Sequence, residues 1–208
     1  MNVDIKNFPK VTVILRGYDY NQTRNIVEIL SNSRIKSVEI ALKDSNVKDI
    51  LKKIVDEFGD KILIGAGTIL TKEDLIDVVK IGAKFVLSPI MFSEEQLQIC
   101  KKNMVISVPG AFTPSEIYKS FQDGAGIVKV FPANTVTPKY FKDIKAPLGE
   151  LKLMAVGGVN AKNALDYLAN GADFLGIGSG IFSREDVIKG NYENVKKSIE
   201  SFEAVLYK

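Results

Sequence analysis

The chain has 208 residues, 46% of them hydrophobic and 25% charged, with a net charge of +3 scattered along its length. That is enough chain for a large core in one domain, taken as residues 1–208. The charge is too weak and dispersed for a nucleic-acid footprint, and no apolar run is long enough to span a bilayer. One cysteine and no histidine exclude an intrachain disulfide, a Cys-based metal cluster and every Ser-His-Asp scheme. Proton transfer therefore falls to Glu, Asp, Lys, Tyr or water.

Met1 to Lys10 lacks the apolar core of a signal peptide, so the cytoplasm is the expected location. Val11 to Leu15 is a short β-branched run that ends in Arg16-Gly17. Asn21 to Leu30 has helical spacing, with Ile26, Val27 and Leu30 on one face. Ser37 to Leu42 is the next strand and carries Glu39. Val47 to Phe58 repeats apolar residues at helical intervals. Ile62 to Ile64 runs into Gly65-Ala66-Gly67-Thr68, which reads either as a turn with a helix-start signal or as a site where the threonine offers its hydroxyl to a small acid. Thr71 opens a helix with acids in its first turn, and Gly82 stops it.

Phe85 to Leu87 leads into Ser88-Pro89. Ser93 and Gln96 form a capping box for a helix that runs past Cys100 to Lys102. Met104 to Val108 is a strand ending at Pro109-Gly110. Thr113-Pro114-Ser115-Glu116 supplies a cap, a first-turn proline and an acid. Ile127 to Phe131 is a strand, and Thr137-Pro138 starts the helix after it. Leu151 to Val156 ends in Gly157-Gly158, and Asn160 caps a helix to Ala169. Phe174 to Ile177 ends in Gly178-Ser179-Gly180, and Ser183 caps the last helical region. About eight strand-helix units with short loops and no linker predict an α/β fold, a small single-domain (β/α)8 TIM barrel. A doubly wound open sheet is the alternative. The uniformity of the units and the lack of a composition break favour the barrel.

In a barrel, chemistry gathers where the strands end. Arg16, Glu39, Lys43, Thr68, Ser88, Lys129, Gly157, Gly158 and Ser179 all fall near such ends. Lys129 stands alone in an apolar strand bounded by Gly126 and Pro132. Burial there lowers its pKa, and a neutral amine is a nucleophile toward carbonyls. A lysine that snorkels out at a strand edge is the plainer reading. Glu39 is a lone acid between Val38 and Ile40, costly unless paired. It is read as an ion pair with Lys129 or Arg16 and as a carboxylate poised for proton transfer, two compatible readings, since a pair in a barrel mouth is how such groups are tuned. Gly157-Gly158 and Gly178-Ser179-Gly180 end successive strands near helix starts, where backbone donors suit a phosphate. Two ordinary turns would look the same. Gly65-Ala66-Gly67-Thr68 lacks the third glycine of a dinucleotide fingerprint. Cys100 has no histidine to activate it and is expected to be an inert thiol.

Taken as an ordered set, these stretches resemble the KDPG/KHG/KDPGal aldolase family from about Val11 to Phe182. The carriers are Ile14-Leu15-Arg16-Gly17, Val38-Glu39-Ile40, Ile64 to Thr68, Ser88-Pro89, Val108-Pro109-Gly110, Val128 to Ala133, Ala155 to Val159 and Gly176 to Ser179. The resemblance implies a class I aldolase, acting on a small phosphorylated 2-keto acid, with no metal or cofactor and as a homotrimer. The expected reaction releases pyruvate and D-glyceraldehyde 3-phosphate from 2-keto-3-deoxy-6-phosphogluconate (KDPG) or its galactonate epimer (KDPGal). Cleavage of 4-hydroxy-2-oxoglutarate (KHG) to pyruvate and glyoxylate falls within the same resemblance. It places Lys129 on the Schiff-base lysine and Glu39 on the acid/base carboxylate. Arg16 and Thr68 fall near the pyruvate carboxylate, with Pro89 beside them in the substrate site. Gly157, Gly158, Gly178 and Ser179 fall on the phosphate turns.

Three positions depart from the family pattern. Lys43 stands where an arginine often holds the carboxylate, and lysine cannot form the planar two-bond fork. Ile90 replaces a glycine, and Val156 a threonine. Two other readings of the same residues are a metal-independent phosphosugar isomerase and a non-catalytic sugar-phosphate-binding barrel.

Overall fold

The computed structural model describes residues 4–43 and 46–207. Met1 to Val3, the start of the stretch read for a signal peptide, lie outside the described residues. The strands are β1 (Val11–Leu15), β2 (Ser37–Ala41), β3 (Leu63–Gly67), β4 (Phe85–Leu87), β5 (Ile106–Val108), β6 (Gly110–Ala111), β7 (Val128–Val130), β8 (Leu153–Val156) and β9 (Phe174–Ile177). The helices are α1 (Tyr20–Ser31), α2 (Val47–Phe58), α3 (Lys72–Ile81), α4 (Glu94–Lys102), α5 (Pro114–Gln122), α6 (Lys139–Leu148), α7 (Ala164–Ala169), α8 (Arg184–Ile188) and α9 (Tyr192–Leu206).

All strand pairs are parallel, in the order β5-β4-β3-β2-β1-β9-β8-β7-β6. Pro109 divides β5 from β6 because it has no N–H to give to a ladder. The two pieces form one stave: β5 pairs with β4 and β6 with β7. Bonds from Ile127 N to Ser107 O (3.3 Å), Lys129 N to Pro109 O (2.9 Å) and Phe131 N to Ala111 O (3.1 Å) join the ends of the sheet. The nine strands thus make the eight staves of a (β/α)8 barrel, as the alternating sequence pattern predicts.

Period-two alternation sorts each strand into an outer and an inner face. Val11, Val13 and Leu15 of β1, Val38 and Ile40 of β2, Ile64 and Ala66 of β3, and Val128 and Val130 of β7 pack outward against the helices. Leu63, Phe85, Leu87, Ile106, Met154 and Phe174 fill the barrel interior. Phe8, just ahead of β1, meets Phe85 and Phe174 edge to face at 5.2 and 5.3 Å, at the end where the strands begin.

Several boundaries differ from the sequence reading. Gly65-Ala66-Gly67 is strand, not turn. Its glycines face the interior, where a β-carbon at Gly65 would come within 2.5 Å of the Phe85 ring. Met104 has a left-handed backbone (φ 56°) and ends the turn after α4, so the strand starts at Ile106. Asn160 does not cap a helix. Its side chain accepts from Lys162 N at 2.9 Å within a turn, and α7 begins only at Ala164. The capping boxes at Ser93 and Thr113 form as expected. No helix of the described residues is long and apolar enough to cross a membrane.

Candidate active site

Glu39 and Lys129 lie on the inner face by the same alternation that sends their neighbours outward. Glu39 is level with Ile14 of β1 and Gly65 of β3. Lys129 is level with Gly110 of β6 and Met154 of β8. Both are buried, at 2% and 5% exposure. Neither sits at a strand terminus; each is inside the barrel, one residue or more below the rim.

The ion pair anticipated for Glu39 is not formed. Oε2 of Glu39 is fully buried and has no hydrogen-bond partner among the described residues. Burial pushes the Glu39 carboxyl above its ordinary range, against the pull of Lys129 and then Arg16. Burial likewise pushes the Lys129 ammonium below its ordinary range; Glu39 opposes this and Arg16 assists it. Both shifts favour the same arrangement, a protonated acid facing a neutral amine. It carries as many protons as the ion pair but leaves no charge in a dry interior. Lys129 Nζ lies over the ring of Phe131, 4.6 Å from its centroid.

Arg16 follows β1, and its Nη2 donates to Thr68 Oγ1, just past β3, at 3.1 Å. The guanidinium of Arg184 holds the Arg16 loop, donating to Arg16 O at 3.0 Å and Gly17 O at 2.8 Å. Gly157 and Gly158 end β8 with left-handed backbones (φ 102° and 71°), which only glycine adopts without strain. Side-chain amides of Asn160 and Asn163 both donate to Gly158 O at 3.0 Å. Gly178-Ser179-Gly180 ends the neighbouring β9.

These groups share one cavity of about 280 Å³. Of the residues singled out in the sequence, Arg16, Glu39, Lys129, Gly157, Gly158, Gly178 and Ser179 line it. Thr68 reaches it through its bond to Arg16. Lys43 is exposed beside Gly17, and Pro89 packs near the backbone of Gly110; neither lines the cavity. Gly180, read with Gly178 and Ser179, lines it too, as do Phe131 and Asn160, to which sequence reasoning assigned no such place. Phe131 was accessible from its position two residues after Lys129, on the same strand face. Ile14 and Val156 supply an apolar wall.

A second cavity, about 400 Å³, opens at the far end of the barrel among Ile5, Lys101, Met104 and Asp123. It contains neither Lys129 nor Glu39, and Asp123 is already paired with Lys119. The first cavity therefore holds a buried amine, a buried acid, one guanidinium and two glycine turns. That set can add an amine to a carbonyl, move protons beside it and receive an anion at the rim. Among the described residues no group of three or more His, Cys, Asp or Glu side chains is placed to hold a metal ion.

Residues 3–198 match the model of the KDPG and KHG aldolases. The 2-dehydro-3-deoxy-6-phosphogalactonate aldolase of Escherichia coli (strain K12) is 31% identical over 170 residues, 81% of this chain and 82% of that protein. The KHG/KDPG aldolase of the same strain is 27% identical over 164 residues, covering 78% and 76%. Among solved structures, a native KDPGal structure matches with a TM-score of 0.84 at 26% identity, over 95% of this chain and 96% of that one. A KDPG aldolase from Legionella pneumophila, with pyruvate captured at low pH as a covalent carbinolamine intermediate, matches with a TM-score of 0.85 at 26% identity, over the same shares.

Proposed function

Because the chain belongs to the KDPG and KHG aldolase family, we propose that it is a class I aldolase that cleaves a 2-keto-3-deoxy-6-phospho sugar acid through an imine on Lys129. One observation carries this reading. Lys129 is a buried amine with a depressed pKa, and it shares a cavity with a buried acid whose pKa is raised. Burial thus shifts both groups toward the forms that the first step uses, a neutral amine and a protonated acid.

The neutral amine of Lys129 adds to the C2 carbonyl of the substrate and gives a carbinolamine. The protonated Glu39 gives its proton to the departing hydroxyl; water leaves and an iminium remains. Glu39, now a carboxylate, takes the C4 hydroxyl proton through a water molecule. The C3–C4 bond breaks, its electron pair moves to the iminium nitrogen, and the aldehyde is released. Protonation of the enamine at C3 and hydrolysis free pyruvate and restore the Lys129 amine. The carbinolamine held by the Legionella relative supports the first of these steps here.

Arg16, held by Thr68, is the cation nearest the reacting pair and receives the pyruvate carboxylate. Lys43, beside Gly17, and Pro89, beside Gly110, are assigned supporting roles from outside the cavity lining. The turns at Gly157-Gly158 and Gly178-Ser179 take the phosphate, since adjacent strands deliver them to one end of the cavity. The KDPG and KDPGal series are the proposed substrates, and KHG a further one that needs no phosphate site. The working form is proposed to be a cytoplasmic homotrimer, following the family resemblance.

Borohydride added with pyruvate tests the reading. It should inactivate the enzyme and leave a reduced pyruvyl adduct on the peptide containing Lys129. An adduct elsewhere, or none, would refute the assignment. Specificity constants for KDPG, KDPGal and KHG then rank the substrates.

A further inference from the structure

Glu39 projects from β2 toward its neighbour β3, and the space it fills belongs to a residue without a side chain. A β-carbon built on Gly67 would lie 2.8 Å from Glu39 Cγ and nearer still to the carboxyl carbon and Oε1. Non-bonded carbons do not come closer than about 3.5 Å without cost. The two positions are offset along adjacent strands: Ala41 is level with Gly67, and Glu39 with Gly65. The acid therefore leans toward the rim and across the inner face of β3.

The backbone gives no other reason for glycine here. Gly67 is absent from the residues with left-handed φ and lies in a regular strand whose carbonyl accepts from Leu42 N at 2.8 Å. An alanine would be compatible with that backbone. The three atoms nearest to its β-carbon would all belong to the Glu39 side chain.

We propose that Gly67 is a positioning residue for the aldol reaction: its missing side chain is the slot that seats the Glu39 carboxyl in the cavity opposite Lys129. The proposal rests on the reading of Glu39 as the proton-transfer group. The slot also keeps the acid dry. Oε2 has neither solvent nor a partner among the described residues, which is the environment that favours its protonated form. Any side chain at 67 would push the carboxyl off its place by an ångström or more, and such misplacement costs up to about a hundredfold in rate.

Gly65 supplies the contrast. It is the other inward glycine of β3, and a β-carbon there would meet the Phe85 ring, not Glu39. Its replacement should damage packing without reference to the acid.

The test is a double-mutant cycle on Gly67→Ala and Glu39→Ala, with Gly65→Ala as comparison. Gly67→Ala is expected to lower kcat about tenfold to a hundredfold with KM changed less than about threefold. In the Glu39→Ala background the same substitution should leave residual kcat unchanged. The melting temperatures give a second, activity-independent readout. Gly67→Ala should lower Tm in the parent and not in Glu39→Ala, where the alanine enters space the acid has vacated. Gly65→Ala should lower Tm equally in both. If Gly67→Ala does not fold, a folded double variant supports the slot and an unfolded one refutes it. Equal loss of Tm in both backgrounds, or an unchanged kcat in Gly67→Ala, also overturns the proposal. An unimpaired Glu39→Ala enzyme would instead overturn the role of Glu39, while the Tm cycle would still report on the slot.

Discussion

Arg16 and Thr68 stand on either side of β2 and are joined across its end: Arg16 Nη2 donates to Thr68 Oγ1 at 3.1 Å. The bond arches over the strand that carries Glu39. Thr68 makes it from a left-handed backbone, φ 61°, where a β-branched residue is an outlier. Strain of that kind costs on the order of 1–3 kcal/mol and persists where the surroundings require it. Thr68→Gly is therefore expected to change Tm by only a few degrees, because relief of strain offsets the greater freedom of the unfolded chain. The loss of a hydrogen bond to the guanidinium should raise the KM for pyruvate-forming substrates about tenfold. A large fall in Tm with KM unchanged would make Thr68 a purely structural residue.

Glu39→Gln keeps the shape of the side chain and removes its proton chemistry. The Lys129 adduct should still be trapped by borohydride, though more slowly because the acid for dehydration is gone, while turnover falls roughly a hundredfold or more. Turnover at the parent level would defeat the acid/base role.

The same variant has a pH signature. The folded-state pKa of Glu39 is raised above its unfolded value of about 4.3. Its stabilising contribution is then full below that pH and is lost as pH rises through the folded value. Lys129 is shifted down, so its penalty is relieved only as pH climbs toward about 10.4. The Tm of Glu39→Gln relative to the parent should therefore be near zero at about pH 4 and grow more positive toward neutrality. A pH-independent difference would mean that burial does not perturb this carboxyl.

Ser179→Asp separates phosphate recognition from chemistry. A carboxylate at the end of β9 would face the substrate phosphate in a partly dry site and repel it. The specificity constant for KDPG should fall far more than that for KHG. An unchanged ratio would reduce the glycine segments after β8 and β9 to turns.

Cys100 should be silent to thiol reagents in the native protein. It is buried in α4, and burial pushes its thiol up to about 12. Its modification should follow the unfolding rate. Rapid labelling under native conditions would contradict the packing around α4.

Much of the barrel was legible in the sequence because its signals are local. Ser93 and Thr113 cap helices through bonds three residues apart, and α2 shows its buried face at helical spacing. Lys129 and Glu39 stood out because each is a charge in an apolar strand. What stayed hidden depends on neighbours distant in sequence. Gly65 and Gly67 look like turn residues until Phe85 and Glu39 are seen to fill their space. The Pro109 break becomes meaningful only when β5 is found beside β4 and β6 beside β7. Ion pairing of Glu39 was a reasonable expectation for a buried acid. The barrel instead holds it and Lys129 without an ion pair between them, the charged form of each disfavoured by burial.

Phe8 is wedged against Phe85 and Phe174. Its ring closes off the barrel interior where the strands begin, at the end away from the glycine turns. Lys129 sits inside the barrel and the glycine turns at its rim. In the proposed reaction the aldehyde leaves first and pyruvate second, because pyruvate stays bound to Lys129 until hydrolysis. Product-inhibition patterns should show that order.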